Sequence, residues 1–131
     1  MTTDPRSVVE SRAVGPASGS YSQAVRVGDL LFLSGQAPTL PDGSILHGSI
    51  TAQVNQALTN LDLVARAVGA TLADAVKCHV YLSDLQYFDE MDAEYRRHFT
   101  HPLPARTTIQ SGFTEFDVEI DAIVALRSAQ D

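Results

Sequence analysis

The segment DVEIDAIVALR, residues 117–127, leaves little choice of architecture. Its alternation predicts a β-strand with Val118, Ile120, Ala122, Val124 and Leu126 on one face. Glu119, Asp121, Ile123, Ala125 and Arg127 fall on the other. The first face is wholly apolar and demands a covering layer. The second is half apolar, whereas a sheet covered on one side only should turn a polar face to water. Both faces are therefore expected to be buried. A chain of 131 residues suits one domain with one core, read here as residues 1–131 with a weak strand and tail over 1–14. With no further element to form another layer, a partner subunit is the simple candidate to cover the second face.

The other elements agree with a single sheet. QAVRV (23–27) and LLFLSG (30–35) flank Gly28-Asp29 and predict a tight hairpin. Ile50, Val54, Ala57, Leu58, Leu61, Val64, Ala65 and Val68 recur at steps of three and four and predict a helix. Ser49 is placed to cap its start and Gly69 to end it. VKCHVYLS (76–83) alternates as a strand, with Cys78 on its apolar side. Leu85, Phe88, Met91, Tyr95 and Phe99 predict a second helix, capped by Ser83 or Asp84 and stopped by Pro102 and Pro104. ARTTIQS follows as a strand. This order predicts an α+β layer, a mixed sheet with both helices on one face.

Charge narrows the function. Nine Lys and Arg stand against sixteen Asp and Glu, a net charge of −7. Binding a nucleic-acid backbone needs a concentrated positive field, so nucleic acid is not the expected partner. No apolar run approaches the roughly 20 residues of a membrane helix, and the opening MTTDPRSVVE has no apolar core of a secretory signal. A single cysteine, Cys78, fits a reducing cytoplasm. A small anionic substrate remains open, since it senses only its local site.

Arg106 is the cation in the most telling context. It stands in PARTTIQ (104–110), on stiff backbone, sharing a strand face with Thr108 and Gln110. A planar guanidinium held there matches a carboxylate. An edge-strand arginine paired with a surface acid fits the same spacing. Asp121 and Glu119 share the half-apolar face, where a carboxylate needs a partner. Asp121 could pair with Arg106 or hold a water as general base; a structural ion pair fits equally. His98 and His101 lack the companions of a metal site, and no metal is expected.

Taken in order, GSYSQAV (19–25), LLFLSGQAP (30–38), LPARTTIQ (103–110) and VEIDAIVAL (118–126) resemble the Rid family, the YjgF-like reactive intermediate deaminases. The helical segments 52–70 and 76–99 lie between them in the matching order. The likeness runs from about Gly15 to Arg127. It implies a chorismate-mutase-like fold and a homotrimer with a central barrel, the active sites lying between subunits. It also implies hydrolysis, without a cofactor, of enamine and imine acids such as 2-aminoacrylate and 2-iminobutanoate to a 2-oxo acid and ammonia. By position, Arg106 matches the arginine that clamps the substrate carboxylate, and Tyr21 the tyrosine that reaches the cleft. Ser34 and Gly35 would line the pocket, joined by Thr107 and Thr108 beside the arginine. Asp121 is aligned with a glutamate that helps place the attacking water.

Three departures bear on substrate. Ser20 replaces a proline before Tyr21, Asp121 is one methylene shorter than glutamate, and Asp92 stands where asparagine is usual. They keep open a pathway-specific deaminase of an aminoacrylate or aminomuconate type of acid. A trimeric carboxylate-binding protein without turnover also remains open.

Overall fold

Six strands form one mixed sheet: β1 (Arg6–Val9), β2 (Ala24–Val27), β3 (Leu30–Gln36), β4 (Ala75–Leu82), β5 (Ala105–Gln110) and β6 (Val118–Ala125). Their order across the sheet is β1-β2-β3-β6-β4-β5. All neighbours are antiparallel except β4 and β5, which run parallel. Two helices complete the expected α+β layer, α1 (Ile50–Arg66) and α2 (Phe88–Arg96). This computed structural model describes residues 3–127; the remainder of the expected 1–131 domain, residues 1–2 and 128–131, lies outside the described residues. Of the expected N-terminal strand, only Arg6–Val9 is extended and paired.

The helices form where spacing and caps direct them. The Ser49 side chain accepts a hydrogen bond from the Ala52 amide at the start of α1. The apolar stripe of α1 buries Val54, Ala57, Leu58, Leu61, Val64 and Ala65 completely. Facing it lie Leu31 and Leu33 of β3, Cys78, Val80 and Leu82 of β4, and all four apolar positions of β6 from Val118 to Val124. Each large side chain so buried contributes about 1.5–3 kcal/mol. The second helix departs from its expected extent. Asp84 caps a single 3-10 turn, Leu85–Tyr87, and the α-helix ends at Arg96, before Pro102. Met91, Tyr95 and Phe99 are buried as the spacing predicts, but Leu85 and Phe88 are exposed. Phe88 instead flanks Arg106.

Among the described residues, no helix or strand covers the other face of the sheet. Cross-strand partners share a face, so Val8, Val25, Phe32 and Ile123 form one row across β1, β2, β3 and β6. Val27 and Leu30 extend it, and Ile109 stands on the same face of β5. Phe32 is 43% exposed, an unusual state for a phenylalanine in the middle of a sheet. Thus β6 has the two unequal faces that its sequence predicts. Among the described residues, no helix is long and apolar enough to cross a membrane.

A candidate active site divided between two faces of the sheet

Arg106 pairs in register with Cys78, which puts its side chain on the helix-covered face of β5. The α2 helix then packs beside it. Nη1 of Arg106 donates to Oδ1 of Asp92 at 2.7 Å, and Nη2 of Arg96 donates to Oδ2 at 2.9 Å. The guanidinium carbon lies 4.7 Å from the Tyr95 ring centroid and 5.4 Å from that of Phe88. Two aromatic faces and an acid therefore fix a side chain that would otherwise sample many rotamers. Its bond to Asp92 uses one of the five N–H donors of the fork. Asp92, Tyr95, Phe99, Leu103 and Pro104 surround it in an open cavity of about 540 Å³.

Asp92 is a built-in competitor for this cation. The hydrogen bond from Arg106, opposed by burial, holds its carboxyl below the ordinary aspartate range. Asp92→Asn should leave Arg106 more available, lowering KM for a carboxylate substrate by about three- to tenfold, or ~1 kcal/mol. The same substitution should lower the melting temperature at neutral pH. Because the folded value is depressed, the stabilisation by Asp92 is complete above the ordinary aspartate range. It is lost as pH falls through the folded value, so the parent and variant melting curves should converge in acid.

A second cluster forms on the opposite face. Glu119 is half-buried beside Gly35, whose backbone passes so close that an added Cβ would stand 2.6 Å from a Glu119 carboxylate oxygen. Only glycine permits this approach. Glu119, Gly35, Gln36, Tyr21 and Phe116 line a cavity of about 440 Å³. Burial, with the charge of Asp121 second, raises the Glu119 carboxyl above the ordinary glutamate range. Tyr21 is half exposed, and its hydroxyl accepts from the Ser18 amide at 3.3 Å. Gly35→Ala should displace the Glu119 carboxyl rather than the fold, since the obstructed atom ends a flexible side chain. Activity that depends on Glu119 should fall by about 10²-fold in kcat with little change in melting temperature.

Several expected positions take other parts. Asp121 does not meet Arg106. It lies on the open face, where Nδ1 of His79 bonds to Oδ1 at 2.7 Å and the Tyr81 hydroxyl donates to Oδ2 at 3.2 Å. Alternation along β5 and β6 puts the two side chains on opposite sides of the sheet, so of the alternatives open to Asp121, an ion pair with Arg106 of the same chain is ruled out. Thr107 is likewise turned away from Arg106 and accepts from Nζ of Lys77 at 2.9 Å, whereas Thr108 shares the face of Arg106. Ser34 ties down the Tyr21 loop: its hydroxyl donates to the Ser22 carbonyl at 2.6 Å and its amide to that of Gln23 at 3.0 Å. Glu119 rather than Asp121 reaches Gly35. The two acids share a strand face, so alternation alone does not choose between them; the pairing of β6 with β3 does.

The family model described as Endoribonuclease L-PSP matches residues 12–126. A RutC family protein, y4sK of Sinorhizobium fredii, is 41% identical over 113 residues, which cover 84% of this chain and 90% of the relative. A Yersinia pestis structure, YyfA, described as a protein of unknown function of the conserved Rid protein family, superposes with a TM-score of 0.87 at 30% identity, covering 92% of this chain and 99% of that one. The structure of E. coli TdcF with bound serine superposes with a TM-score of 0.83 at 30% identity, covering 93% and 99%.

Proposed function

The chain belongs to the Rid family, which includes the YjgF, RutC and L-PSP proteins, and on that premise we propose that it hydrolyses small 2-imino acids and their enamine tautomers. The observation that carries this reading is Arg106, a cation immobilised between two aromatic rings at the mouth of a cavity. Such a preorganised fork suits a substrate carboxylate. The serine bound by TdcF carries the same group.

The reaction asks little else of the protein. An imine carbon is already electrophilic, and more so once its nitrogen is protonated. Glu119 in its ionised form takes a proton from water as the oxygen attacks that carbon. The C=N double bond becomes a single bond, giving a carbinolamine. Glu119 passes that proton to the nitrogen, the C–N bond breaks as the hydroxyl proton returns to Glu119 and thence to solvent, and ammonia leaves as the carbonyl of the 2-oxo acid forms. An enamine such as 2-aminoacrylate enters the sequence after protonation at its terminal carbon. Tyr21 closes the cavity over Glu119, and the substrate and protein residues supply all the chemistry without a cofactor.

Arg106 and Glu119 lie on opposite faces of one sheet, so one chain cannot present both to a single small molecule. A second copy solves this. Its docking covers the apolar row of Val25, Phe32 and Ile123, in which Phe32 is exposed, and sets the Arg106 of one subunit against the Glu119 cavity of the next. The simple closed form is a homotrimer. In solution the native mass should be about three times that of the chain, by light scattering; a stable monomer would leave the two clusters apart.

The family description also names an endoribonuclease. Six of the nine Lys and Arg residues are paired with acids, however, and the chain carries a net charge of −7. That charge pattern favours a small acid over a polyanion. The test is ammonia and 2-oxobutanoate release from 2-iminobutanoate, generated in place by a threonine dehydratase. Faster release with the protein supports the reading, and an unchanged rate with folded protein rejects it for this substrate.

A further inference from the structure

Asp121 has no part in the mechanism above, yet two side chains hold it on the open face. His79 and Tyr81 both lie on β4, in register with Asp121 and Glu119 respectively. Their rings stack with centroids 6.4 Å apart. Each gives a hydrogen bond to a different oxygen of Asp121. Burial, then the charge of Asp121, raises the Tyr81 hydroxyl above its ordinary range, so it remains a protonated donor at working pH. An ionised carboxylate only accepts, so Nδ1 of His79 carries the hydrogen directed at it.

Asp121 and Glu119 are two residues apart on one strand and point the same way. Their spacing is therefore about 7 Å. Burial is the larger influence on Glu119, and Asp121 is the charged group that adds to it. From β3, the adjacent Ser34, Gly35 and Gln36 carry no charge. From β4, Lys77 donates to Thr107, two rows away. Asp117, two residues before Glu119, is taken up by Ser83 and Gln53. Tyr21 and Ser18 complete the cavity wall without charge.

We propose that Asp121, clamped by His79 and Tyr81, is a positioning residue whose fixed negative charge acts along the strand on the neighbouring Glu119 and tunes its work as a base. Asp121 does not touch the substrate; it acts through Glu119. The role in turnover rests on the hydrolytic reading, but the coupling between the two acids does not. A general base works best when its proton affinity is matched to the operating pH. A like charge on the same strand raises that affinity without placing a second acid in the cavity.

The test is the titration of the Glu119 side-chain carboxyl carbon by NMR in the intact protein, with Glu119→Gln used to assign the signal. Asp121→Asn keeps shape and removes charge, so the Glu119 midpoint should fall by about one pH unit. Tyr81→Phe removes a hydrogen bond but keeps the charge, and the midpoint should stay at its parent value. A merely structural role would make both variants act alike. An unchanged midpoint in Asp121→Asn, or equal shifts in both, overturns the proposal. Asp121→Ser gives the same reading if the asparagine variant does not accumulate. The acid limb of the rate profile on 2-iminobutanoate should move with the NMR midpoint. A parent protein with no activity would reject the hydrolytic reading and would leave the titration result to decide the coupling.

Discussion

Arg106→Ala should lower kcat/KM for 2-iminobutanoate by on the order of 10³-fold. Two charge-assisted hydrogen bonds to a carboxylate are together worth about 4 kcal/mol, which converts to that factor. Steady-state rates with the coupled dehydratase would measure it. Truncation also strips a filling from between Phe88 and Tyr95 and leaves Asp92 with Arg96 alone. A stability loss of about 2 kcal/mol should accompany the change. Arg106→Lys separates the two effects. It keeps the charge and much of the packing but loses the planar fork, so it should melt near the parent while recovering little of the rate. An alanine variant with parental kinetics would assign Arg106 to structure alone.

Glu119→Gln should act on a different constant. The amide has nearly the same shape and cannot take the water proton, so kcat should fall by about 10²- to 10⁴-fold while KM changes little. The parent profile carries a matching sign. Glu119 must be ionised to act as base, and its carboxyl is raised above the ordinary range, by burial first and Asp121 second. Activity should therefore fail on acidification at a higher pH than an ordinary glutamate would give. The Gln variant should lose that acid limb. A Gln variant as fast as the parent would exclude Glu119 as the base.

Most of the fold was legible because it rests on local periodicity. The alternation of β6, the stripe of α1 and the Ser49 cap each specify an element without reference to distant residues. The half-apolar second face of β6 is also present, and it continues across the sheet as an apolar row in which Phe32 is exposed; its burial against a second copy belongs to the proposed function. What periodicity does not carry is register. It places Glu119 and Asp121 on one face but does not say which stands beside Gly35; that follows from how β6 pairs with β3. The same parity rule, applied to β5, already separates Thr107 from Arg106 and Thr108. The α2 helix was overextended because Phe99 keeps its spacing and its burial after the helix has ended at Arg96. Asp92 as the partner of Arg106 depends on how α2 packs on the β5 edge, a contact between segments 14 residues apart in sequence.

The division of the site between subunits is tested most directly by complementation. Arg106→Ala and Glu119→Gln chains, each expected to be nearly inactive alone, would be co-expressed and assayed on 2-iminobutanoate. If every cleft takes its arginine from one subunit and its glutamate from the next, random mixing restores about a quarter of the clefts. Activity should then rise to about a quarter of the parent value. If both residues served the same cleft from one chain, no mixed assembly would contain an intact site. Activity that stayed at the level of the single variants, in assemblies shown by mass to contain both chains, would contradict the account.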